Sequence, residues 1–96
     1  MRRSLAAAIG LASIAAAAVA GAEPPPGAVA CSGCHPSSPR VISPVPRLAT
    51  MDRAAIGRAM LDFKAGRRAA TVMDRIAKGF SDEEIQALAA WLGAKP

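Results

Sequence analysis

Cys31-Ser32-Gly33-Cys34-His35 is the stretch on which the rest of the chain depends. Cys-x-x-Cys-His is the attachment pattern of c-type haem. Each thiol adds across one porphyrin vinyl group to form a thioether, and the adjacent imidazole becomes an axial ligand of the iron. The spacing has a mechanical basis. Two residues between the cysteines set both sulfurs along one edge of the macrocycle, and the turn carries the next side chain beneath the iron. Ser32 and Gly33 are small, so the backbone can lie close to a flat ring. Other chemistries also use Cys-x-x-Cys. A thioredoxin-type redox pair sits in a βαβ context, and no strand pattern occurs here. Half a zinc site needs a second pair of ligands. The chain has two cysteines and one histidine, all inside this motif. Haem is therefore the expected reading, with a disulfide or a metal as the alternatives.

Upstream, residues 1–22 read as a cleaved export signal. Met1-Arg2-Arg3 is a positive start, Leu5 to Val19 is an alanine-rich apolar run, and Ala18-Val19-Ala20 and Ala20-Gly21-Ala22 are small-residue cleavage patterns. The run is shorter than the ~20 residues a bilayer span needs, so stable membrane insertion is not expected. Much of the 52% hydrophobic content is this alanine. Cleavage after Ala22 takes 22 of the 96 residues, with Arg2 and Arg3, and leaves 74 with ten basic residues against seven acidic. Interspersed charges and few aromatic residues argue against nucleic-acid binding. A chain of that size has a marginal core, and a bound apolar disc would supply what it lacks. Residues 23–96 are expected to form one domain, placed by export in the periplasm.

Pro24-Pro25-Pro26 is extended, and from Gly27 to His35 there is room for about two helical turns. Pro36, Pro39, Pro44 and Pro46 then exclude regular structure. Val41, Ile42, Val45 and Leu48 are the apolar members of this loop and the expected contacts with a haem face or edge. A second helix is expected from Thr50 as N-cap, with Ile56, Ala59, Met60 and Phe63 as its apolar stripe and Gly66 as its stop. A short segment, Thr71 to Lys78, ends at Gly79. The last helix opens on the capping box Ser81-Asp82-Glu83-Glu84, with Ile85, Leu88, Ala89 and Leu92 as its stripe and Trp91 beside it. The fold class is all-α: three to four short helices around a covalent haem.

The other axial ligand is open among Met51, Met60 and Met73. Met60 lies on an apolar stripe, where methionine commonly fills core. Met51 sits at a helix start. Met73 lies far enough from His35 for the chain to pass round the haem edge, and it is favoured. An open iron position is the remaining alternative.

The order of these features resembles a small class I c-type cytochrome. Ala70-Thr71-Val72-Met73-Asp74-Arg75-Ile76-Ala77-Lys78-Gly79-Phe80-Ser81-Asp82-Glu83-Glu84-Ile85 is similar to the methionine-ligand segment of the cytochrome subunit of flavocytochrome c sulfide dehydrogenases. There a T-V-M-x-R-I-A-K-G-aromatic run leads into the last helix. Val45-Pro46-Arg47-Leu48 resembles that family's proline-leucine haem contact. The resemblance implies one haem c, with Cys31 and Cys34 as thioethers, His35 and Met73 as axial ligands, and the Pro46 carbonyl on the imidazole N–H. Two departures stand out. Pro24 to Pro26 shorten the leading helix, and Pro36 follows His35 where glycine is common. Both point to low intrinsic stability, or to a partner over the exposed face of the last helix, Trp91 included.

With both axial positions filled, the expected role is single-electron transfer rather than catalysis. The resemblance implies a sulfide-oxidising flavoprotein (FAD) subunit as donor. A free shuttle serving other redox proteins is the alternative within the class. An open-site haem sensor or peroxidase-like enzyme, and a haem-free disulfide module, are the alternatives outside it.

Overall fold

The computed structural model describes residues 4, 6–13 and 23–95. Both cleavage patterns lie outside the described residues, as do Leu5 and residues 14–19 of the apolar run of the expected export signal, and Pro96. Ser4 and residues 6–13 carry no regular secondary structure. Four helices follow, and the described residues contain no strand. They are α1, Ala28–Cys31; α2, Arg53–Lys64; α3, Met73–Ala77; and α4, Asp82–Leu92, with a 3-10 turn at Leu48–Thr50. The architecture is all-α, as expected from the absence of strand patterning. Among the described residues no helix is long and apolar enough to cross a membrane.

The start of α2 corrects the sequence reading. Thr50 is not its N-cap: its hydroxyl donates to the Arg47 carbonyl at 2.9 Å and is spent within the 3-10 turn. Asp52 takes the cap, its carboxylate accepting the Ala55 N–H at 3.0 Å. The C-terminal end is as expected. Gly66 has φ 75°, its N–H reaches the Phe63 carbonyl at 3.1 Å, and the Arg67 N–H reaches Asp62 at 2.8 Å. That is a Schellman closure, which needs a residue at positive φ. Both bonds of the α4 capping box are present. The Glu84 N–H donates to the Ser81 hydroxyl at 3.1 Å, and the Ser81 N–H to the Glu84 carboxylate at 3.0 Å.

Helices α2 and α4 run antiparallel and are tied at both ends. Arg53, opening α2, donates from Nε to the Ala94 carbonyl at 3.1 Å, and the Ala94 N–H donates to Met51 at 2.8 Å. At the other end Lys64 Nζ meets Asp82 at 2.8 Å. The helix α2 packs on α3 as well as on α4, and α1 touches α4. Between them lies a small core of Ala28, Ile56, Ala77, Ile85, Leu88 and Ala89. Three of these six are alanine, so the large buried side chains come from the α2 and α4 stripes. Ala59, Met60 and Phe63 complete the α2 stripe half-buried, as Leu92 does on α4.

Candidate functional site

The Cys31–His35 turn grows directly out of α1. The helix is only four residues long, and its end tightens: Ser32 N–H bonds Val29 O at 3.2 Å and Gly33 N–H bonds Ala30 O at 3.1 Å. The Cys31 carbonyl then accepts two donors, Cys34 N–H at 3.3 Å and His35 N–H at 2.9 Å. One backbone atom thus fixes the three functional residues relative to each other. Both thiols are free. Cys31 is half-buried and its Sγ points back to the Gly27 carbonyl at 3.5 Å. Burial pushes its thiol pKa up, partly offset by a backbone hydrogen bond. Cys34 is exposed.

His35 reaches across the proline loop. Its Nδ1–H donates to the Pro46 carbonyl at 2.7 Å. A carbonyl can only accept, so the proton sits on Nδ1 and the Nε2 lone pair is directed elsewhere. A ligating histidine is commonly oriented in this way. The Pro46 carbonyl and the His35 ring are thus joined across the loop by this hydrogen bond. Leu48 and Val45 are half-buried nearby in sequence, whereas Val41 and Ile42 stand exposed. The loop therefore divides. Ser43 turns the backbone by accepting the Val45 N–H at 3.1 Å, and the side chains before that turn face outward.

The three methionines occupy three different settings. Met60 lies within α2 and Met51 follows the 3-10 turn with its carbonyl held by Ala94. Met73 is the first residue of α3, half-buried. Its neighbours Val72 and Ile76 are 49% and 41% exposed. No hydrogen bond joins Met73 or Leu48 to the Cys31–His35 turn among the described residues. Sequence reasoning passed over Asp74, beside Met73, whose Oδ1 is buried without a hydrogen-bond partner. It also passed over the approach of Phe80 to Gly27, which only the folded backbone brings about. Trp91 is half-buried in a groove of about 910 Å³ that runs between α4 and Pro25, with Arg53 and Lys95 at its rim.

The donor set fits a haem. Two free thiols flank a turn whose imidazole is already oriented through Nδ1, and thioether donors are available from elsewhere in the chain. Apolar Val41, Ile42, Val72 and Ile76 lie at the polypeptide surface on the segments that carry Pro46 and Met73. Among the described residues no group of three or more His, Cys, Asp or Glu could hold a bare metal ion.

Two known proteins share sequence with this chain. The cytochrome subunit of sulfide dehydrogenase from Chlorobaculum tepidum is 38% identical over 65 residues, covering 68% of this chain and 59% of that protein. The thiosulfate dehydrogenase electron acceptor from Stutzerimonas stutzeri is 38% identical over 73 residues, covering 74% of this chain and 34% of that protein. The chain thus spans less than two thirds of the length of either relative. No protein-family model matches it, and no solved structure matches it significantly. The two similarities support a cytochrome c family.

Proposed function

We propose that this chain is a single-electron carrier of the class I cytochrome c type, with one haem c held by Cys31, Cys34 and His35 and with Met73 as second axial ligand. The reading rests on one observation above the others: the Cys-x-x-Cys-His turn presents an imidazole whose Nδ1–H is engaged by the Pro46 carbonyl at 2.7 Å. The similarity to proteins named as a cytochrome subunit and as an electron acceptor supports the same role. Residues 1–22 serve as an export signal, residues 23–96 form the working domain, and the periplasm is its compartment.

Bound there, the haem supplies a one-electron ferric/ferrous couple. The rest is the work of the chain. Cys31 and Cys34 hold the group by thioether bonds, so it is not lost when its oxidation state changes. His35 offers Nε2, and the Pro46 carbonyl fixes the ring and raises its basicity. Met73 would offer its thioether as the other iron ligand, which would raise the reduction potential and leave no position for a substrate. Such an arrangement relays electrons and does no chemistry of its own on a substrate.

The donor in this reading is a sulfide-oxidising flavoprotein (FAD) subunit; the name of the first relative, a cytochrome subunit of sulfide dehydrogenase, supports its sulfide-oxidising part. The second relative favours another reading, a diffusible shuttle accepting electrons from other redox enzymes. Intact-mass analysis of the exported protein tests the core of the proposal. The expected species begins at Glu23 and carries the mass of one haem, with a matching pyridine haemochrome spectrum. A mass consistent only with a Cys31–Cys34 disulfide would sink it.

A further inference from the structure

Phe80 and Gly27 meet between the two segments that carry the proposed axial ligands. Gly27 is the N-cap of α1 with φ 89°, a backbone conformation that favours glycine. A Cβ placed on it would stand 2.7 Å from Phe80 Cε1 and 2.8 Å from Cζ. A side chain at position 27 is therefore excluded twice, by conformation and by the ring. The edge of the phenyl group rests on bare backbone.

Each side of this contact leads to a ligand. On one side α1 begins at once, with Ala28 only 2% exposed, and ends in the Cys31–His35 turn. The Cys31 thiol reaches back to the carbonyl of Gly27 itself. On the other side Phe80 closes the turn that ends α3, its N–H donating to the Ala77 carbonyl at 3.2 Å, and Ala77 is wholly buried. Met73 lies at the opposite, less secured end of α3. Its N-cap, Val72, makes no side-chain capping bond, and residues 65–72 are exposed throughout. A five-residue helix does not hold itself in water. The position of Met73 therefore depends on how firmly the C-terminal end of α3 is seated.

We propose that the Phe80 ring on Gly27 is a positioning contact that locks the Met73 segment against the Cys31–His35 turn, and so sets how rarely the methionine leaves its axial place. This rests on the ligand reading above and goes beyond it. Loosening the contact raises the fraction of molecules with Met73 displaced. An external ligand that needs the vacated position then binds more tightly in proportion to that fraction.

The test uses the haem-loaded, exported protein and titrates imidazole into the ferric form and CO into the ferrous form. Phe80→Ala should bind imidazole tighter by about tenfold or more, with Phe80→Tyr close to the unmutated protein and haemochrome content equal in all three. If Phe80→Ala does not accumulate, Phe80→Leu decides the matter, because it keeps apolar bulk without the ring edge; a gain of several-fold is expected. Unchanged imidazole and CO affinities in the variant that accumulates, alongside a lowered denaturation midpoint, would show Phe80 to be a packing residue only and overturn the proposal. Absence of covalent haem, or of the near-infrared thioether band, in the unmutated protein overturns the ligand reading and the proposal with it. An intact band there, with an unaffected Phe80 variant, overturns the positioning role alone.

Discussion

His35 is oriented by a main-chain oxygen, and that shapes what substitution can do. Changing Pro46 leaves its carbonyl in the chain; what is lost is the ring that fixes φ. Pro46→Ala should therefore retain covalent haem and cost only about 0.4–1 kcal/mol, by freeing the unfolded chain, as read from a denaturation midpoint. Met73 offers a sharper test. Met73→Ala should abolish the weak near-infrared charge-transfer band of ferric His/Met haem and lower the potential, since a water ligand favours ferric iron more than a thioether does. Met60→Ala and Met51→Ala should keep the band; the reverse pattern would give the axial place to one of them. At this scale the turn that groups Cys31, Cys34 and His35 is legible in the sequence because the three residues lie within five positions of one another. The Pro46 carbonyl is legible only through a family resemblance, since nothing in a proline's identity announces where its oxygen points. The Gly27 contact with Phe80 joins residues far apart in the chain, and no local pattern encodes it.

The helix ends show where local physics suffices and where it does not. Ser81 with Glu84, and Gly66 after α2, are local motifs and fold as written. Thr50 and Asp52 are both good caps two residues apart, and choosing between them needs the 3-10 turn that engages the Thr50 hydroxyl. Ser81→Ala should cost about 0.5–2 kcal/mol. Its partner Glu84 has a carboxyl below its ordinary pKa, chiefly because the Ser81 N–H donates to it, then through the Ser81 hydroxyl, with Lys64 adding to the effect against a small desolvation. A depressed folded pKa means that this stabilisation is complete above the unfolded value and is lost as pH falls through the folded one. Glu84→Gln should therefore flatten part of the acid limb when the denaturation midpoint is followed from neutral pH down to about pH 3. Two glycines on the α2–α4 contact should respond with opposite sign. A Cβ at Gly57 would meet only the end of the Gln86 side chain, at 3.2 Å, and Gln86 is exposed and able to shift. Gly57→Ala should stabilise by up to about 1 kcal/mol through helix propensity. A Cβ at Gly93 would stand 2.7 Å from Arg53 Cγ and 3.0 Å from Arg53 Cα, which is backbone. Gly93→Ala should lower the thermal midpoint.

For the molecule as a whole, a core with three large buried side chains is little to hold four short helices. Small domains of this kind need a staple, and the thioether-bound disc is the one proposed. Cys31→Ala combined with Cys34→Ala should therefore accumulate poorly and show a weak, early-melting helical signal by circular dichroism. The same shortage bears on partners. Pro24 to Pro26 precede an α1 of only four residues, so among the described residues no long helix crosses α4, and Trp91 lies in an open groove with Ala87 and Ala90 exposed along it. A small protein rarely leaves an apolar surface of this kind to water. Residues 23–96 carry ten basic against seven acidic side chains, mixed in sign and with a small net charge. Long-range attraction is then weak, and a complex held at this groove depends on apolar burial, which salt does not screen. In the proposed role electron exchange brings a partner's cofactor to the haem edge, so a partner seated on this groove is expected to extend from α4 toward Cys31 and Cys34. In native extract, haem absorbance should run on gel filtration at a size well above the lone chain, with flavin co-eluting from low to high salt. Haem running only at the position of the lone chain at every salt concentration, with no flavin beside it, gives the role to the free shuttle instead.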